Sequence, residues 1–202
     1  MNRLITASLI LASTVLASPV SALADDIALG VPGYGGNGCP QGTVSATLSP
    51  DNKQLSVLFD AYQAEAGGNT GRRLDRKSCQ VAIPVHVPQG LSVSILQVDY
   101  RGFNSVPYGA RSTFNVEYFF AGQRGPSYQK SFNGPINDQY LINNMLQASA
   151  IIWSPCGADL TLRSNSSMMA QTNSRNEQTL STVDSMDISA GIVYQLQFRT
   201  CQ

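Results

Sequence analysis

The chain holds a single histidine, His86, and that fact narrows the chemistry open to it. Zinc sites built on paired histidines and multi-histidine metal centres are excluded. A Ser-His-Asp triad would have to use His86. Yet His86 sits mid-strand, opposite an apolar face, and no G-x-S-x-G elbow accompanies it. The residue reads as an exposed or edge-strand histidine. Carboxylate pairs need no histidine and can hydrolyse glycosides. The candidates beside strand-like segments are Asp60, Asp99, Glu117 and Asp159. Asp60 and Asp99 would serve equally well by accepting turn amides.

Other residue groups have chemical and structural readings side by side. Arg72, Arg73, Arg76 and Lys77 form the one basic cluster, a candidate anion-binding loop anchored by Cys79 and hinged at Gly67, Gly68 and Gly71. Trp153 could stack on a sugar, but three residues before Cys156 it is expected to pack in the core beside a disulfide. Gly33 to Gly38 spells G-x-G-x-x-G, but no strand leads in and Cys39-Pro40 follows in place of a helix, so a loop is expected. Asn165-Ser166-Ser167 is a glycosylation sequon, relevant in a host that glycosylates. No cofactor and no metal are predicted.

The elements that must position these residues begin after a leader. Met1-Asn2-Arg3 is a short positive start, Leu4 to Val20 is uncharged, and Ala22-Leu23-Ala24 is an A-x-A cleavage signature. Residues 1–24 are predicted to be a signal peptide cleaved after Ala24, giving a secreted or periplasmic protein with no transmembrane segment. Loss of the leader removes Arg3, one of 13 cations, against 13 acids, so the mature net charge is −1. A balanced charge argues against general nucleic-acid binding.

Residues 25–38 read as a loose Gly-rich segment, and 39–202 as one domain. Val44, Ala46 and Leu48 alternate with polar residues, as do Leu55, Val57 and Phe59. Val81, Ile83, Val85 and Val87 share a face, with Pro84 pointing to a sheet edge or bulge. After Pro88-Gln89-Gly90, Leu91, Val93 and Ile95 return on one face. Then Leu96, Val98 and Tyr100 take over, a slip of one residue that predicts a β-bulge. Phe114 to Phe120 and Ile192 to Phe198 are further strands. Residues 123–150 fit helix or strand, and 164–182 read as a polar excursion. Many short strands with turns between them predict an all-β, antiparallel, jelly-roll-like sandwich.

The four cysteines Cys39, Cys79, Cys156 and Cys201 predict two disulfides in an exported protein. Cys156 precedes the expected strand 158–163, and Cys201 ends the expected strand 192–200. If those strands pair antiparallel the two cysteines meet, which predicts Cys156–Cys201 and, by elimination, Cys39–Cys79.

Gly38-Cys39-Pro40, Phe59-Asp60-Ala61-Tyr62, Lys77-Ser78-Cys79, Asp99-Tyr100-Arg101-Gly102, Trp153-Ser154-Pro155-Cys156-Gly157 and Cys201 together resemble the secreted family of domain of unknown function 4360. The resemblance covers about residues 30–202. It implies a secreted, disulfide-linked, β-rich domain and brings no activity with it. The expected function is a non-catalytic extracellular binding or structural module, with a glycan or anionic surface component as partner. The alternative is a secreted glycosidase-like hydrolase using a carboxylate pair.

Overall fold

The computed structural model describes residues 27–183 and 191–201. The expected leader and its cleavage point lie outside the described residues. Among the described residues thirteen strands run in order: β1 (Ala28–Leu29), β2 (Gly33–Gly35), β3 (Val44–Leu48), β4 (Gln54–Phe59), β5 (Gln63–Ala66), β6 (Leu74–His86), β7 (Leu91–Val106), β8 (Arg111–Phe120), β9 (Ser127–Asn133), β10 (Ile136–Met145), β11 (Leu160–Gln171), β12 (Thr179–Thr182) and β13 (Ile192–Thr200). The first sheet is ordered β1-β6-β11-β8-β9, with β2 also on β6; the second is β3-β4-β13-β7-β12-β5, with β10 also on β7. The pairings are antiparallel, as in the β6–β11 and β13–β7 ladders.

Alternation sends one face of each sheet inward. Cys79, Val81, Ile83 and Val85 on β6 and Phe114, Val116 and Tyr118 on β8 form one core with Leu55 and Val57 on β4, Val98 and Tyr100 on β7, and Ile192 and Tyr194 on β13. Rings cross between the sheets: Tyr100 meets Phe114 at 5.3 Å and Tyr118 meets Tyr194 at 6.1 Å, both edge-on.

The expected bulge is present. Gln195 lies opposite Gln97 and Leu196 opposite Ile95, so Leu96 has no partner on β13. Pro84 sits where an edge is thinly covered: β2 pairs Gln80 to Ala82, β1 pairs Val85 and His86, and between them the Gly30 N–H donates to the Pro84 carbonyl at 2.8 Å.

Several segments differ from the sequence reading. The Gly-rich segment supplies β1 and β2. Gly36 has φ +137°, and a Cβ there would lie 2.2 Å from the Ser78 carbonyl oxygen, so the glycine is a condition of this close edge. Residues 164–171 belong to β11, a central strand, and no excursion forms there. The strand was hidden because two inward positions, Ser164 and Ser166, are hydroxyls. Ser166 Oγ donates to the Cys79 carbonyl at 3.2 Å and accepts from Tyr62 Oη at 3.1 Å, which satisfies three buried groups. The ambiguous residues form β9 and β10, with Tyr140 and Ile142 in a strand.

Both predicted disulfides are present, with Cα–Cα distances of 5.4 Å for Cys39–Cys79 and 5.9 Å for Cys156–Cys201. The premise behind the second does not hold, because β11 and β13 belong to different sheets. The cysteines meet instead at the start of β7. Ser154 and Gly157 donate N–H groups to the Val93 and Leu91 carbonyls, while Cys201 donates to the Gly90 carbonyl, each at 2.8 Å.

Candidate functional site

The four candidate carboxylates occupy separate places. Asp60 is exposed just past β4, its N–H bound to the Thr43 carbonyl at 2.9 Å. Asp99 on β7 is buried and accepts three amides: Gln97 Nε2 at 2.6 Å, Asn143 Nδ2 at 2.8 Å and Gln195 Nε2 at 3.1 Å. Those donors engage both of its oxygens, a poor arrangement for an acid or nucleophile. Glu117 is exposed on β8 of the other sheet. Asp159, just before β11, accepts from His86 Nδ1 at 2.6 Å. His86 is exposed, as expected, but β6 is not an edge strand, since it pairs β11 on one side and β1 on the other, where Ala28 lies opposite His86. Its partnership with Asp159 across 73 positions left no trace in the spacing.

Trp153 differs from its expected core position. It is half-buried, bridges to Ser94 at the edge of β7, and carries the Arg199 guanidinium 4.2 Å above its ring. Among the described residues no group of three or more His, Cys, Asp or Glu is placed to hold a metal ion.

The basic cluster is divided by strand geometry. Only Arg72 and Arg73 precede β6; Arg76 and Lys77 lie within it. Alternation puts Arg76 on the outer face and sends Asp75 and Lys77 to the other side. Buried Asp75 sits 3.3 Å from Arg72 Nη1 and 3.8 Å from Lys77 Nζ, and also accepts the Glu65 N–H at 3.1 Å. Lys77 is thereby partly covered. The hinge is tied down as well: Gly67 N–H bonds the Arg72 carbonyl and Gly68 N–H the Asn176 carbonyl, both at 2.7 Å. The free cationic surface is therefore Arg73 and Arg76, with Arg72 half engaged.

Arg76 borders a surface that sequence reasoning missed. Residues directly opposite in an antiparallel sheet project from the same face. Because Cys79 and Val81 point inward, the outer face of the first sheet can be read in rows. Gln80, Asn165, Glu117 and Ser127 form one row; Ser78, Ser167, Asn115 and Gln129 form the next. Arg76, Met169, Thr113 and Ser131 follow, then Leu74, Gln171, Arg111 and Asn133. Arg111 Nη2 donates to Gln171 Oε1 at 3.2 Å, which holds that guanidinium on the face. The first two rows enclose a shallow cavity of about 300 Å³, lined by Asn115, Glu117, Ser127, Gln129, Asn165 and Ser167. Tyr128 lies at its floor, stacked 5.5 Å from Tyr100, and burial pushes its phenol up. The signal that could have exposed this face is the polar member of each alternating pair in β6, β8 and β11.

Together these features define a two-disulfide antiparallel β-sandwich with broad polar sheet faces. No helix among the described residues is long and apolar enough to cross a membrane. The chain belongs to the family described as Domain of unknown function (DUF4360), whose profile matches residues 25–201. It is also similar to an uncharacterized secreted protein of Arthroderma benhamiae: 34% identical over 169 residues, which is 83% of this chain and 69% of that protein.

Proposed function

We propose that this protein is a secreted, non-catalytic module that binds an anionic glycan along the outer face of its first sheet. The observation that carries the reading is the pair of Ser/Asn/Gln rows around the 300 Å³ cavity, bordered on one side by Arg76 and Arg111. Amide and hydroxyl side chains both donate and accept, as sugar hydroxyls do. Guanidinium groups match carboxylate or sulfate groups in two-point contacts. Arg72 and Arg73 lie just beyond the end of the same face and extend the positive field. Glu117 in the cavity suits a hydroxyl donor, so it belongs with the sugar ring and the arginines with its acidic substituents. The separation of the four carboxylates, and the three amide donors already held by Asp99, count against the hydrolase. The expected leader and the likeness to a secreted protein of Arthroderma benhamiae support export.

The test is retention on immobilised polyuronate and on a neutral polysaccharide of matched length. Replacing Arg72, Arg73 and Arg76 with Ser should cut retention on the polyuronate and flatten its salt dependence, because exposed charges are screened over ~10 Å at 0.1 M salt. Replacing Asn115 and Asn165 with Ala should weaken both matrices. Unchanged retention in both variants would end the proposal. Turnover lost on substituting Asp60, Asp99, Glu117 or Asp159 would establish the hydrolase instead.

A further inference from the structure

The opposite end of the first sheet holds a larger concavity that the glycan reading does not use. There β6, β8 and β11 end together: Ala28 pairs with His86, Leu160 with Val85 and Leu162 with Phe120. The segment leading to Cys156 adds Pro155 to the lining. The result is a cleft of about 580 Å³, walled by Leu29, Pro84, Phe120, Pro155 and Leu160. That size suits a small organic ligand.

Its polar groups are biased in one direction. A carboxylate only accepts, so the 2.6 Å contact from His86 Nδ1 to Asp159 Oδ1 places a proton on Nδ1. In the neutral ring, Nε2 is then an acceptor. The second oxygen of Asp159 is another. Gln123, which also lines the cleft, has an Oε1 atom with no hydrogen-bond partner. Among the described residues no lysine or arginine lines the cleft, and Asp159 is the one formal charge among them when His86 is neutral.

We infer that the cleft between the ends of β6, β8 and β11 binds a small primary ammonium compound with an apolar body, its ammonium group facing Asp159 and His86 and its body against Phe120, Leu29 and the two prolines. An ammonium offers three donors and no acceptor, which matches this lining. An alcohol of the same shape satisfies fewer acceptors and lacks the charge. A carboxylate of the same shape places like charges together.

His86 gives the experiment its own reporter, since one histidine yields one set of ring signals in a proton–carbon NMR spectrum. The probes are 2-phenylethylamine hydrochloride, 2-phenylethanol and 3-phenylpropionate, each titrated into the mature protein in a buffer kept alkaline to the ring's own titration. The amine should shift the His86 signals saturably, the alcohol should bind at least tenfold more weakly, and the carboxylate should leave them unmoved. Asp159 is exposed, so Asp159→Asn should fold as the parent does and weaken the amine about tenfold while leaving the alcohol unchanged. Equal binding of amine and carboxylate, equal binding of the amine by parent and variant, or a His86 signal that no probe moves would each overturn the inference.

Discussion

The two disulfides should open in a fixed order, Cys156–Cys201 before Cys39–Cys79. Their sequence separations are 45 and 40, nearly equal. The chain-entropy model gives about 4 kcal/mol for each, so loop length cannot rank them. Their surroundings can. Cys39 and Cys79 are 1% and 0% exposed, and the Cys79 carbonyl is tied through Ser166 to Tyr62 inside the core. Cys156 is exposed and Cys201 half-exposed, beyond the last residues of β13. A thiolate reaches the second bridge without unfolding and the first only after the core opens. Under graded reductant without denaturant, alkylation and peptide mapping should find label on Cys156 and Cys201 first. The Cys156→Ala, Cys201→Ala variant should lose about 4 kcal/mol, which at this size lowers Tm by about 10 °C. The Cys39→Ala, Cys79→Ala variant should fall further, because it also loses two buried sulfurs. Label appearing first on Cys39 and Cys79, or both variants melting with the parent, would refute the reasoning.

Three smaller perturbations probe the same frame. Gly36→Ala should cost about 1–3 kcal/mol in chemical denaturation, since its Cβ meets the Ser78 carbonyl at positive φ, whereas Gly35→Ala meets nothing within 4 Å and should be nearly neutral. Ser166→Ala should cost about 1–3 kcal/mol on the same assay, by leaving the Tyr62 hydroxyl without its buried partner. Burial raises the phenols of Tyr62, Tyr100, Tyr118 and Tyr194, with Tyr118 pushed up to about 12. Unfolded phenols ionise near ~10, so this stability is complete below that pH and is lost as pH rises through the folded values. An absorbance titration of tyrosinate should therefore show the buried phenols ionising together with unfolding, later than ordinary tyrosines.

Legibility in the sequence followed the chemistry of the inward positions. The half of β6 carrying Val81, Ile83 and Val85 was plain because those inward residues are all aliphatic. The slip from Ile95 to Leu96 was plain because one extra residue reverses an alternation. The strand containing Ser164, Ser166, Met168 and Ala170 was not, because a buried hydroxyl with two partners looks the same in a sequence as an exposed one. The basic cluster misled for a related reason. Four cations in six residues look like one loop until Asp75, between them, is seen to be a buried anchor that turns Lys77 away from Arg76. The disulfide pairing was right although the strands thought to bring its cysteines together never pair. Contacts such as His86 with Asp159 or Asp99 with Gln195 depend on tertiary register and had no local signature at all.

The two proposed sites lie at opposite ends of one sheet and carry opposite charge, which gives the pair a shared consequence. Arg76 and His86 lie toward opposite ends of β6, about 33 Å apart at the rise of an extended strand. That exceeds the ~10 Å screening length at 0.1 M salt several times over. A short anionic oligosaccharide held at Arg76 and Arg111 therefore does not sense Asp159. A long one that runs up the face toward Ala82 and Pro84 passes the exposed Arg163 opposite Ala82, and the charges it carries beyond that point come close to the Asp159 carboxylate and are repelled. Asp159→Asn should leave the affinity for short uronate oligomers unchanged and raise the affinity for the polymer, and the gain should shrink as salt is added. The same substitution weakens the amine in the cleft, so one variant moves the two ligands in opposite directions. Calorimetric titration of a length series of oligouronates into parent and variant measures this directly. If Asp159→Asn weakened polymer binding, the glycan could not run along this face toward the cleft, and the orientation proposed for it would have to be abandoned.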